Sequence, residues 1–379
     1  MKKNVARIFP LLILFLCNIN IFAVNRKGIP VLCYHNISKK SKDIFSLSPK
    51  KFEKQIRYLY KSGFKTIKLN KFMKYINGQR NINLPPKPIL LTFDDGWMSH
   101  YKVVLPILKK YNYTGVFFVY PSVLMAKRRF YRKRYVNVKL LKKMHKAGME
   151  IECHSYFHPI MHKESKKTII VQFRNSKRFL EKKLGKKIKY FAYPYGSYTK
   201  NIVKIARKYG YKGLFTINYG INYPGMDSAK LYRLMIMRKM SFKYFKYLVN
   251  SKPLKIVRAD PENGEVYKKI KHVAFYFKNR FSRDNYRIRV YLNSRRIRKY
   301  RYFPNNGLLY FYTKRAVRGM NTVRVIVKSK TNKRDYRMAS WIFIKKTKPY
   351  RSRRARIALQ RRRNRIRARR RYRRRRIVR

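Results

Sequence analysis

Two adjacent carboxylates close an apolar run and precede a glycine, in Leu91-Thr92-Phe93-Asp94-Asp95-Gly96. Successive side chains of a strand point to opposite faces, so neighbouring carboxylates at a strand's end aim in different directions. One can ligate a metal while the other stays free as a base. Asp-Gly is also ordinary turn chemistry, and the tripeptide alone does not separate the two readings. A second cluster does. Glu152-Cys153-His154-Ser155-Tyr156-Phe157-His158-Pro159 follows the strand-like run 149–153 and holds two imidazoles four residues apart. On one turn of helix, or in a tight loop, that spacing brings both rings to one side, as a shared divalent ion requires. With only 7 His in 379 residues, such a pair seldom arises by chance.

Those side chains need a scaffold that presents strand ends together. From residue 29 to about 240, short apolar runs (29–34, 64–69, 88–93, 114–120, 149–153, 188–192 and 212–217) alternate with helix-period stretches (101–111, 138–147, 169–184 and 201–209). Ser48 and Pro49 open a further helix to Gly63, with Phe52, Ile56 and Leu59 on one face. Strand-then-helix repetition predicts an α/β fold with a parallel sheet or barrel, in which chemistry gathers at the carboxyl ends of the strands. After Ser251 the pattern becomes alternating short runs, at 273–277, 286–292, 308–312, 322–327 and 340–344, which predict a small all-β sandwich.

The combination resembles a known family. Thr92-Phe93-Asp94-Asp95-Gly96, His154-Ser155-x-x-His158-Pro159 and Phe191-Ala192-Tyr193-Pro194-Tyr195-Gly196 resemble the three motifs of polysaccharide deacetylases related to the nodulation chitooligosaccharide deacetylase. The opening Pro30-Val31-Leu32-Cys33-Tyr34-His35-Asn36-Ile37 resembles the branch containing poly-N-acetylglucosamine deacetylases. The resemblance covers residues 29–245 and implies an irregular (β/α) barrel. It implies metal-assisted removal of N-acetyl groups from an N-acetylated glycan. Asp95, His154 and His158 would be the metal ligands, Asp94 the base, and the Tyr195 backbone N–H an oxyanion donor, with Pro194 supporting that turn. The metal implied is Zn2+, with Co2+ or Ni2+ as alternatives. Residues 252–346 resemble the immunoglobulin-like domains appended to secreted enzymes.

Two departures from the family pattern stand out. The Arg that often braces the base in the third motif is replaced by Ala192 or a neighbouring aromatic, leaving Arg233 as a substitute. The late family His, which protonates the leaving amine, has no counterpart, because no His lies between His162 and His272. His35, at the end of the first strand, either stands near the site or bonds a loop carbonyl. The missing acid leaves open a second reading, a catalytically impaired protein that binds glycan or polyanion on the same fold.

Composition sets the setting. Hydrophobic residues at 45% and aromatics at 16% exclude a wholly disordered chain. Residues 1–23 have a basic start, an apolar run too short to span a bilayer comfortably, and a small residue, Ala23, at the cut. They read as a signal peptide or a retained anchor, and place the protein in the periplasm, at the cell surface or outside the cell. Two cysteines remain beyond it, Cys33 and Cys153, both expected as buried free thiols. The net charge is +85, from 99 Lys and Arg against 14 acids. Seventeen of the last 29 residues are Arg, so 347–379 is expected to be a disordered tail, yet the first 350 residues still hold 82 Lys and Arg. Such a field attracts anionic cell-surface polymer or membrane surface. No helix-turn-helix, zinc-finger or RNA-recognition signature makes nucleic acid a specific partner.

Overall fold

The computed structural model describes residues 28–126 and 133–346; the expected signal peptide and Arg-rich tail lie outside the described residues. Eight strands lead the first half: β1 (Val31–Tyr34), β2 (Lys65–Thr66), β3 (Pro88–Asp94), β4 (Val116–Val119), β5 (Glu150–Cys153), β6 (Tyr190–Ala192), β7 (Gly213–Phe215) and β8 (Leu234–Met235). They pair in parallel in the order β7-β6-β5-β4-β3-β1-β8, with β2 beside β3. β1, β4 and β6 are buried at every residue, which is why they read as unbroken apolar runs. The two ends of this order meet. Phe215 bridges to Leu231, the Thr216 N–H donates to the Leu231 carbonyl at 2.9 Å, and the Leu231 N–H donates to that of Leu214 at 3.1 Å. The sheet therefore closes into the expected barrel.

Helices wrap it: α1 (Pro49–Lys61), α2 (Leu69–Ile76), α3 (Leu105–Lys110), α4 (Pro121–Leu124), α5 (Val138–Lys146), α6 (Lys166–Leu184), α7 (Lys200–Lys208) and α8 (Phe242–Val249). In α1 the Ser48 side chain accepts from the Lys51 N–H, Pro49 sits in the first turn, and Phe52, Ile56 and Leu59 are buried. The strand expected at 64–69 is corrected: only Lys65–Thr66 pairs with β3, and Leu69 opens α2. Its first amide is held by the Glu150 carboxylate at 2.9 Å, a contact 81 residues away that no local pattern reveals. No helix of the described residues is long and apolar enough to cross a membrane.

After β9 (Lys252–Pro253), two further sheets face each other. One holds β10 (Ile256–Asp260), β12 (His272–Phe277), β16 (Leu308–Tyr312) and β15 (Arg301–Phe303) in that order. The other runs β11 (Val266–Tyr267), β18 (Tyr336–Lys345), β17 (Gly319–Ser329), β13 (Tyr286–Leu292) and β14 (Arg295–Ile297), with β9 on β18. Phe275, Leu309, Val290, Val325 and Trp341 fill the space between them. Met338 and Ile342, on the other face of β18, pack into the barrel's core instead. Ser340 and Tyr219 tie the two units, the Tyr219 N–H donating to the Ser340 hydroxyl at 2.6 Å and the Ser340 N–H to the Tyr219 carbonyl at 2.7 Å.

Candidate active site

Three strand ends and one closing segment converge at the carboxyl end of the barrel. Asp94 is the last residue of β3 and is buried at 1% exposure. The backbone then turns through positive φ at Asp95 (79°) and Gly96 (73°), which aims the second carboxylate elsewhere. Beyond β5, His154 follows directly, Ser155 takes φ 75° and His158 φ 60°. The Ser155 hydroxyl accepts from the His158 N–H, and the Gln172 side-chain oxygen of α6 accepts from the N–H groups of Tyr156 and Phe157, each at 2.9 Å. The pair is thus held in a tight loop. After β6, Pro194 begins a short turn in which Tyr195 has φ 55° and is 53% exposed. Among the described residues eight non-glycine residues have positive φ, and four of them, Asp95, Ser155, His158 and Tyr195, lie in this one site. Backbone in that region costs about 1–3 kcal/mol per residue and persists where surrounding structure over-determines it, typically at functional sites.

The donor set fits a single divalent ion. The His154 Nδ1–H donates to the Ala192 carbonyl at 2.7 Å, which leaves its Nε2 as a bare lone pair. That Nε2 lies 3.1 Å from His158 Nε2 and 3.5 Å from Asp95 Oδ1, while His158 Nε2 lies 3.3 Å from the same oxygen. Donors about 2.0–2.1 Å from a shared tetrahedral ion stand about 3.3–3.4 Å apart. Asp95 Oδ1 is buried without a hydrogen-bond partner, whereas its Oδ2 accepts from the Trp97 indole N–H at 3.0 Å. With His158 in the tautomer that leaves its Nε2 bare, three acceptors face one point and call for a cation. Burial lowers both imidazole pKa values, that of His158 to about 4 with help from His154, so both rings are neutral ligands near pH 7.

Asp94 stands beside this set with different partners. Its Oδ1 accepts from Arg233 Nη1 at 2.7 Å, and its Oδ2 lies 3.8 Å from His154 Nε2 and 3.5 Å from the Cys33 thiol. Burial pushes the Asp94 carboxyl up, but the Arg233 guanidinium, with His154 and His35, more than offsets this and holds it well below the usual carboxylate range. Arg233 is wholly buried, anchored by its Nε–H to the Thr216 carbonyl at 2.8 Å, and enters from the segment that closes the barrel. Asp94 is therefore ionised and aimed.

Asp94, Asp95, His154, His158 and Arg233 are thus brought together. Tyr195 joins them through its ring, 4.7 Å from that of His158. Pro194 is buried at the start of that turn. A ring nitrogen of His35 lies within 4.8 Å of both Asp94 and Cys33, and its Nδ1 is buried without a partner. The Ala192 position contributes a backbone carbonyl to His154, and no bracing side chain. Sequence reasoning missed two supports, Trp97, and His100, whose Nε2–H donates to the His35 carbonyl at 3.0 Å. A Trp two residues past paired carboxylates was the available signal for the first; nothing local marked the second. Glu152, quoted within the second motif, turns away to Lys186 and the N–H groups of Lys189 and Tyr190. Among the described residues, Cys33 and Cys153 are buried free thiols.

Residues 81–214 match the family model described as polysaccharide deacetylase. The poly-beta-1,6-N-acetyl-D-glucosamine N-deacetylase of Staphylococcus aureus (strain MSSA476) is 28% identical over 212 residues, 54% of this chain and 71% of that one. Among solved structures, Streptococcus pyogenes deacetylase PplD in complex with acetate superposes with a TM-score of 0.54 at 25% identity, covering 59% of this chain and 98% of that chain. IcaB from Ammonifex degensii gives a TM-score of 0.50 at 27% identity, covering 59% and 95%. His35 and Arg233 fall outside the stretch that the family model matches.

Proposed function

Since this chain carries a polysaccharide deacetylase domain, we propose that it is an exported, metal-dependent N-deacetylase that hydrolyses the acetamido groups of an N-acetylated polysaccharide to acetate and free amine. The observation that carries the reading is the convergence of Asp95 Oδ1, His154 Nε2 and His158 Nε2 beside a second, ionised carboxylate. These three residues would hold a divalent ion, Zn2+ by the character of the donor set with Co2+ or Ni2+ as substitutes, and it would supply Lewis acidity toward water and the amide carbonyl. Asp94 keeps Oδ2 free of strong partners, so this oxygen takes the proton of the attacking water. Arg233 is its positioning residue. The Tyr195 N–H donates to the oxygen of the tetrahedral intermediate, and Pro194 holds the turn that aims it. His35, beside Asp94 and with an unpartnered buried nitrogen, gives a proton to the departing amine, the role for which no late histidine exists. Trp97, stacked on Tyr135 at 4.8 Å, and the exposed ring of Tyr195 offer flat faces to the sugars around the scissile amide.

The polymer named in the S. aureus relative, poly-β-1,6-N-acetylglucosamine, is the substrate to test first. Acetate release from it should need divalent metal and vanish in Asp94→Asn. Release that survives chelation would sink the proposal. The absence of a late histidine favours the second reading, a binding protein without turnover; it predicts salt-sensitive polymer binding with no acetate from any N-acetylated glycan tried.

A further inference from the structure

A cavity of about 790 Å³ lies at the amino-terminal ends of β1 and β3, away from the strand ends that carry Asp94 and His154. Its size falls in the range of small-molecule sites, about 300–1,000 Å³. Barrel and sandwich both build it. Tyr58 of α1 and Tyr247 of α8 line one side and Tyr336 of β18 the other, with the Tyr247 and Tyr336 ring centroids 6.1 Å apart. Such rings present an apolar face and a polar tip, the surface on which sugar rings stack.

The charge on its walls is one-sided. Lys87, Lys243, Lys246, Lys252, Lys333 and Arg334 line it, and no Asp or Glu does. The neighbouring acid, Asp335, is buried and already held by Arg337 at 2.9 Å and Lys252 at 3.3 Å. It leaves the other cations uncompensated. The five that remain, around a concave, partly apolar wall, repel one another, and they draw in an anion. The chain itself offers no such anion. Residues 1–27 hold five Lys and Arg and no acid, the last 29 hold 17 Arg and no acid, and neither could neutralise this wall.

We propose that this cavity is a second saccharide site, which takes an anionic oligosaccharide with its phosphate or uronate groups on the lysines and its rings against the tyrosines. Lysine ammonium groups serve as point-charge partners for either anion. Bound there, an anionic polymer would hold the protein by one end of the barrel and leave the opposite end open. The proposal stands on the cavity and its charge, not on the deacetylase reading.

Its test is a titration of the full chain at low salt with four probes: a uronate oligosaccharide, a sugar-phosphate oligomer, inorganic phosphate and a neutral N-acetylglucosamine oligomer. At least one anionic oligosaccharide should bind about tenfold tighter than phosphate or the neutral oligomer. Lys243→Glu with Lys246→Glu should weaken it about tenfold more than the matched pair Lys182→Glu with Lys183→Glu on exposed α6. Tyr247→Ala should weaken the oligosaccharide but not phosphate, and Tyr247→Phe should retain affinity. Unchanged melting curves show that the variants fold. Equal losses in the two charge-reversed pairs, phosphate binding as tightly as the oligosaccharides, or indifference to Tyr247→Ala would each overturn the proposal.

Discussion

Arg233 and Asp94, 139 residues apart, meet at 2.7 Å inside the closed barrel, one delivered by β3 and the other by the segment that seals the sheet. Barrel closure and the poise of the carboxylate are therefore one structural event. The folded Asp94 pKa lies below its unfolded value, near 4, so the pair adds stability above that pH and loses it as pH falls through the acid range. Arg233→Met removes the guanidinium and leaves burial unopposed. The Asp94 pKa should then rise, moving the acid limb of acetate release toward neutral pH and costing about 3–5 kcal/mol of stability at pH 7. Arg233→Lys should restore part of both. A pH profile that does not move would contradict the role.

Trp97→Phe keeps the ring that stacks on Tyr135 but loses the N–H that holds Asp95 Oδ2. Metal affinity, measured by competition with a chelating dye, should fall about 10–100-fold, with little change in melting temperature of the metal-free protein.

At Tyr195 the ring and the backbone do different things. Tyr195→Ala should raise KM about tenfold while kcat stays within about threefold, because the oxyanion donor is the main chain. Tyr195→Gly should also raise stability by about 1 kcal/mol, since glycine occupies φ 55° without strain. A kcat collapse in Tyr195→Ala would mean that the side chain takes part in chemistry.

β18 serves two cores at once, and this predicts one cooperative unit. Ile342→Ala should cost about 2–5 kcal/mol and lower a single melting transition, seen equally by acetate release and by near-ultraviolet circular dichroism. Two separate transitions, with activity surviving the first, would show that the sandwich is an independent appendage.

Local signals made much of this legible. Ser48 and Pro49 announced α1, unbroken apolar runs announced strands buried on both faces, and paired Asp and paired His announced a donor set. Contacts made at a distance were not. Glu150 holds the Leu69 amide that opens α2, so the strand expected at 64–69 stops short, and His100 fixes the His35 carbonyl across 65 residues. The strand at 340–344 was readable as apolar, but not that Ile342 faces the barrel while Trp341 faces the sandwich. Arg233 was reachable only by noticing that the usual brace was missing, because its own neighbours say nothing of a carboxylate. Short edge strands such as Arg295–Ile297 carry too few apolar residues to stand out.

The most direct test measures acetate released from N-acetylglucosamine polymer by the same purified protein as isolated, after chelation and after Zn2+ is restored, with Asp94→Asn alongside. The account predicts release that is lost on chelation, returns with metal and is absent from Asp94→Asn despite unchanged metal binding. Release indifferent to chelation, or undiminished in Asp94→Asn, would contradict it.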